Sequence, residues 1–521
     1  MMRTVPTLFA LLLMAGAALP NSSEAAAAPG LPPTHRGLYA IWYERMPEVM
    51  TLPYITGGQV IAQWGELETA EGQYDFSPLT AKMQALHEQN KPFTVQVNGN
   101  IKPAWLFNRV PFLPEPLGVQ VRDKRGTLMY WHPEFERAYL NFLRAYAAFL
   151  KQSPYRESLL GVRQNFNAIG TEHLQVPREK IPLTQWSVPS GSYSWEAFTP
   201  ALARAYQTRV LETFVKEFSP HTRVFVRNNI KPDLRGQFGQ DFESGRLCWF
   251  HTSSEVEPRK GVSDQYQRFL DDCRTGKTLA YAEPWASAWG HHGGKTDPRW
   301  CSPPQWNYWR LLCDLHCGVS FIACYGTDLE VALNGRYRGG NLSAAEAKEA
   351  TTFKDEFDAA FQFAAKYAGY QTSPKSAPGA WVAFREGDTL KGDYTFLMQR
   401  KPDQTREVKN AGPDDQRFGA WARLLPRDET MRLVLDDAFA ASLAAQDAEL
   451  HVTHLDQGTG SFDIHAAGQT FHAQSNDSGR WKTIVYELSR PDFAKDDSGA
   501  HVRLNARGTD LTLHMVAVAR K

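Results

Sequence analysis

Between residues 37 and 328 the chain alternates short apolar runs with segments whose apolar residues recur at helical spacing. The runs are GLYAIWYE (37–44), GQVIAQWGELE (58–68), PFTVQVNGN (92–100), LLGVRQNFNAIGTE (159–172), TRVFVRNNI (222–230), RLCWFHTSSE (246–255), TLAYAEPW (278–285) and GVSFIACYGTD (318–328). Each ends in polar or aromatic residues. SPLTAKMQALHEQN after the second run and ALARAYQTRVLETFVKEF after the fourth read as amphipathic helices. Strands alternating with helices imply βαβ units and a parallel sheet, and eight such units make a (β/α)8 TIM barrel. The stretch AAEAKEATTFKDEFDAAFQFAAKYAG predicts the last barrel helix, stopped by Gly369.

From residue 380 the period changes to two. AWVAFRE, DYTFLMQR, MRLVLDD, AELHVTHLD, SFDIHAAG, WKTIVYELS, AHVRLNA and TLHMVAVAR stand between Asp, Gly and Ser turns, the signature of an antiparallel β-sandwich. Ahead of the barrel, one arginine, an apolar run from Leu8 to Leu19 and A-x-A sites near Ala25 to Ala28 predict a secretory signal peptide. That run is shorter than the roughly 20 residues a membrane-spanning helix needs, and no later segment is long and apolar enough. The expected organisation is a signal peptide over 1–28, a barrel over 29–370, a turn-rich linker over 371–379 and a sandwich over 380–521, in an exported protein without a membrane span.

Charge excludes one class of partner. Lysine plus arginine equal aspartate plus glutamate at 57 each, which removes the basic footprint of a nucleic-acid binder. The 15 tryptophans suit flat apolar sugar faces as well as a core. Six cysteines fall between 248 and 324 without CxxC spacing. Cys248 and Cys324 read as buried thiols, and Cys273, Cys301, Cys313 and Cys317 are candidates for a disulfide. Neither a metal site nor a cofactor is expected. G-x-S-x-G is absent, against a serine hydrolase.

In a barrel of this kind the chemistry sits where strands end, and Glu172 after the fourth strand and Glu283 after the seventh stand at such ends. Hydrolysis of a glycosidic bond needs two carboxyl groups, one to protonate the leaving oxygen and one to attack or to activate water. Around them Trp42, Trp64, Trp105, Trp249, Trp285 and Trp289 are candidate stacking faces. Asn98, Asn165, Asn167, Asn228, His251, His291 and Tyr325 are candidate hydrogen-bonding residues, and Arg163, Asn228, His251 and Tyr325 candidate donors to Glu283. Glu66 and Glu68 read as caps or salt-bridge partners. Arg36, Arg45, Lys102, Arg163 and Arg227, if they faced the mouth, would suit a sulfated or acidic glycan.

The stretch VIAQWGELETAEGQYDFSPLTAKMQAL resembles the second-strand segment of clan A glycoside hydrolases, particularly the β-galactosidase-like family 42 barrels. The resemblance implies an acid/base glutamate after strand four, Glu172 in NAIGTEH, and a nucleophile after strand seven, Glu283 in YAEPW. It also implies a retaining β-glycosidase acting on an oligo- or polysaccharide. The clan places asparagine immediately before the acid/base to bind the sugar 2-hydroxyl. Here Thr171 stands there, so either Asn165 or Asn167 makes that contact or the register differs. A catalytically inactive carbohydrate-binding barrel is the alternative.

Overall fold

The structure is a computed structural model that describes residues 35–171, 181–227, 236–252, 270–284, 286–291, 301–338, 343–385 and 392–521. Eight parallel strands close into a barrel: β1 (Gly37–Ile41), β2 (Ile55–Gln63), β3 (Phe93–Asn98), β4 (Leu159–Arg163), β5 (Arg223–Arg227), β6 (Leu247–Thr252), β7 (Ala280–Glu283) and β8 (Phe321–Tyr325). Closure is the pairing of β1 with β8 from Gly37↔Phe321 to Ile41↔Tyr325. All eight strands match the expected runs, because a strand covered on both faces must be apolar almost throughout.

The longer helices among the described residues are α1 (Ser77–His87), α2 (Pro133–Gln152), α3 (Pro200–Glu217), α4 (Pro303–His316), α5 (Gly326–Asn334) and α6 (Lys354–Tyr367), with another over Ala344–Thr352. Their starts are written locally. In α2 the His132 side chain accepts from Glu134 N–H ahead of Pro133, and in α3 Thr199 accepts from Leu202 N–H ahead of Pro200. The single helix expected over 344–369 is broken at Phe353, whose buried ring lies 6.0 Å from Trp289. Tertiary packing of that side chain overrides helix propensity.

Two cores result. Tyr39, Phe225, Phe250, Tyr281 and Phe321 fill the barrel interior, while the larger core runs between strands, helices and the C-terminal domain. That domain is a sandwich of a seven-stranded and a five-stranded antiparallel sheet. The segment DYTFLMQR, expected as one strand, is two. Leu397 takes a left-handed φ of 53°, so Tyr394–Phe396 joins one sheet and Met398–Arg400 the other. Arg406–Lys409, Trp421–Leu425 and Gln469–Gln474 are strands that lacked a clear alternating pattern. Trp381, Trp421 and Trp481 are all buried and therefore core.

Every residue of α4 is buried, because the helix is covered by the barrel on one side and the sandwich on the other. Trp309 Nε1 donates to Phe418 O (3.1 Å) and its ring packs on Trp421 at 4.8 Å. His316 Nδ1 accepts from Thr395 N–H (2.8 Å). On α6, Glu356 pairs with Arg417 at 2.7 Å. The six cysteines are buried and none is in a disulfide, so no disulfide joins Cys273, Cys301, Cys313 and Cys317. No helix of the described residues is long and apolar enough to cross a membrane.

Burial pushes His316 and His514 down to about 3 and His454 to about 4; nearby Arg274 and Arg385 add to the effect at His316, and Arg417 at His514. Below pH 6.5 the unfolded chain takes up protons that these folded imidazoles refuse. The stability they contribute is therefore complete above pH 6.5 and lost as pH falls, by roughly 1–2 kcal/mol per histidine at pH 5. Calorimetry of His514→Gln should show a shallower decline in unfolding free energy between pH 7 and pH 5 than the parent, by about one proton.

Candidate active site

The C-terminal ends of β3, β4 and β7 build one polar constellation. Alternation along β7 turns Tyr281 and Glu283 inward, leaving Glu283 as the last residue of its strand and 7 % exposed. Arg163, the last residue of β4, is also buried and reaches across the interior. Its Nη1 donates to Glu283 Oε2 at 2.7 Å and to Gln96 Oε1 at 2.7 Å, and its guanidinium lies 3.8 Å from the centre of the Phe250 ring. Gln96 Oε1 also accepts from Gln59 Nε2 (3.0 Å), and Gln96 Nε2 donates to Asn98 Oδ1 (2.5 Å), which accepts again from Asn165 Nδ2 (3.0 Å). The guanidinium is thus fixed by an amide, a ring and a carboxylate.

Burial, and then the charge of Glu283, raise the Tyr281 and Tyr325 phenols well above their ordinary range. Both therefore remain neutral around the carboxylate. Lys102, in the loop after β3, is buried with its Nζ on Gly99 O, and burial lowers it to about 7.

The loop after β4 folds back on β3. Thr171 O accepts from Phe166 N–H (3.1 Å) and Asn167 N–H (2.9 Å), and Gly170 O accepts from Gly99 N–H (2.5 Å). Thr171 is the last described residue before Glu172, which lies outside the described residues with Asn228 and Trp285. His291 falls in the short helix Ala288–His291, its side chain outside the described residues. The long loops after β3 and β4 are joined as one wall. Phe112 and Ser187 exchange backbone hydrogen bonds, Ser192 Oγ donates to Arg109 O, and Trp131 Nε1 donates to Glu196 O.

Several candidates serve the fold instead of the mouth. Trp64 has no exposed surface: its ring packs on Phe135, Tyr139 and Phe142 of α2 and its Nε1 donates to Glu68 Oε2 (2.7 Å). Trp249 is buried against Phe242 at 4.3 Å and donates to Asp272. Asn165 and Asn167 are buried and both donate to Val97 O, which ties the loop after β4 to β3. His251 is buried on the side of β6 that carries Trp249, facing away from the barrel interior. Trp289 is buried on Tyr337 and Phe357. Arg36 lies at the opposite end of the barrel on Gly369 O. Glu66 and Glu68 cap Gln63 N–H and Gly72 N–H, as expected.

Trp42 keeps an open face. It is 38 % exposed at the end of β1 and holds a left-handed φ of 54°, a conformation that persists in a bulky residue only where its surroundings enforce it. Gly326 lets this happen, since a Cβ there would stand 2.9 Å from Trp42 O. The half-buried Tyr325 lies close enough to Glu283 to feel its charge, and Asn98, buried at the end of β3, belongs to the amide chain that leads through Gln96 to Arg163. Gln96 was not foreseen, although Gln96 and Asn98 alternate with Val95 and Val97 in FTVQVN, which marks a polar inward face. Among the described residues no cluster of three or more His, Cys, Asp or Glu can hold a metal ion.

No family model matches the chain, and no curated protein does. Solved structures match at low identity. The catalytic domain of a β-amylase from Paenibacillus polymyxa is 12 % identical over 57 % of this chain and 92 % of its own, with a TM-score of 0.35. A β-galactosidase from Rahnella sp. R3 is 14 % identical over 64 % of this chain and 57 % of its own, with a TM-score of 0.39. A structure described as a glycoside hydrolase is 8 % identical over 93 % and 92 %, with a TM-score of 0.38. The barrel itself is established by its strand pairing.

Truncating a fully buried tryptophan costs about 3–5 kcal/mol. Urea denaturation of Trp64→Ala should show that loss, whereas Trp42→Ala, which removes a half-exposed ring, should cost less than half as much.

Proposed function

We propose that the protein is an exported glycoside hydrolase of clan A type that cleaves β-glycosidic bonds with retention, with Glu283 as nucleophile and Glu172 as acid/base. The observation that carries this reading is Glu283 itself: a buried carboxylate at the C-terminal end of β7, gripped by Arg163 through one oxygen. A nucleophilic carboxylate must be ionised and fixed in place, and a guanidinium at hydrogen-bond distance does both.

In the first step a Glu283 oxygen forms a bond to the anomeric carbon as the bond to the leaving oxygen breaks, and Glu172 gives that oxygen its proton. The glycosyl ester cancels the charge of Glu283, so Glu172 ionises and takes a proton from the water that hydrolyses the ester. Tyr325 borders the carboxylate, and Trp42 offers a sugar-stacking face. The substrate is an oligo- or polysaccharide, with a β-galactoside as the nearest implication of the second-strand resemblance. Of the basic residues expected to favour an anionic glycan, Arg36, Lys102 and Arg163 are engaged by the protein itself. A neutral glycan is therefore preferred to a sulfated one. The apolar N-terminal run supports export.

The test is hydrolysis of a panel of aryl β-glycosides and of neutral and sulfated polysaccharides, with azide added. Glu283→Ala should lose activity and be rescued by azide as the α-glycosyl azide, and Glu172→Ala should lose activity on substrates with poor leaving groups. Equal activity in parent and both variants would overturn the pair, and no turnover by the parent on the whole panel would favour the binding-protein reading. Arg163→Met removes the cation that favours an ionised Glu283, so the acidic limb of kcat/KM should move to higher pH.

A further inference from the structure

The segment after β7 is fastened by the helix after β8. Ala288 N–H is buried and meets both oxygens of Asp328, at 3.1 and 3.0 Å. Asp328 is the third residue of α5 and has no exposed surface. On either side of Ala288, Ser287 Oγ lies 2.5 Å from Tyr337 OH and the Trp289 ring packs on Tyr337 at 4.9 Å. Of these attachments only the one at Asp328 carries charge.

The ladder between β7 and β8 pairs Tyr281 with Phe321 and Ala282 with Ile322, and does not include Glu283. On the other side the ladder to β6 pairs Glu283 with Thr252. The backbone of Glu283 is therefore laddered to β6, and the chain is fastened to the β8–α5 unit again at Ala288. We infer that Asp328 is a positioning residue for Glu283, an ionic clamp that sets the path of the chain leaving β7. The inference rests on the reading of Glu283 as nucleophile.

The chemistry of the clamp is costly enough to need a reason. A leucine at this place would avoid the desolvation of a carboxylate, but would leave Ala288 N–H buried without an acceptor. Burial raises Asp328 to about 7, against the lowering by Ala288 N–H and by Arg310 of α4. The other titratable groups facing it are Cys324 and Tyr325 of β8 and Tyr337 beyond α5, all raised and neutral at that pH. The clamp therefore gains its charge as pH rises through about 7 and loses it below.

Hydrogen–deuterium exchange of the peptide containing Ala288, corrected for intrinsic exchange, reads the clamp without a substrate. It should be run on parent, Asp328→Asn and Glu330→Gln, the last a buried acid of the same helix whose partner is Arg338. In Asp328→Asn exchange should quicken by about tenfold or more at pH 8, the size expected for losing a charge-assisted hydrogen bond. It should also lose the parent's pH dependence near 7. Glu330→Gln should leave both unchanged whatever its effect on Tm. With an active parent, kcat/KM of Asp328→Asn should fall about tenfold at pH 8 and less at pH 6. Unchanged exchange would overturn the inference, as would quickened exchange with kcat/KM unchanged at both pH values. Quickened exchange in a protein whose parent hydrolyses nothing on the panel would uphold the clamp and overturn the glycosidase reading.

Discussion

The ion pair between Arg163 and Glu283, 2.7 Å long and almost wholly out of solvent, sets the terms for everything around it. Removing two such charges from water costs several kcal/mol each, repaid only when geometry is good and the remaining donors and acceptors are occupied. That requirement explains the amides of Gln59, Gln96, Asn98 and Asn165 in a barrel whose lower interior is aromatic. It also constrains the sheet. A slip of one residue in β4 or β7 would turn a charge out into the apolar helix layer, so the pair helps to specify the register that closes the barrel.

The same economy governs the junction between domains. Helix α4 is buried on all sides, because it is the common wall of barrel and sandwich, and its polar side chains pair within the helix, as Arg310 does with Asp314 and Asn307, or reach across the junction and to the barrel. Trp309 reaches Phe418 O, His316 accepts from Thr395 N–H, and Arg310 donates to Ala323 O. The sandwich tryptophans are buried in this contact and in the sandwich core. The described part of the sandwich thus supports the half of the barrel that carries β7 and β8, and with it the placement of Glu283.

The fold was legible because its period was legible. Runs of four to six apolar residues between helical segments admit few architectures, and the eight runs correspond one for one to β1–β8. The position of the candidate nucleophile was legible too, because Glu283 closes an apolar run and so had to stand at the end of its strand. The site was misread where a polar or aromatic side chain at such an end turned to the scaffold. Trp64 shares a strand end with the mouth yet points into α2, and Trp249 on β6 turns onto Phe242 and donates to Asp272. Direction along a strand end depends on where the ladder stops and the loop begins, and the spacing of residues in the chain does not contain that.

By itself, then, the order of residues determined the alternation of strand and helix, the change to a sandwich at residue 380 and the presence of one acid at the end of β7, since these depend on local periodicity and on residue type. Tertiary structure alone decided that a guanidinium 120 residues away holds that acid, that Gln96 orients the guanidinium, that Leu397 passes the chain between sheets, and that Asp328 binds the segment after β7. Each of these joins groups distant in the chain, and their meeting follows from barrel closure and desolvation, which act on the folded whole.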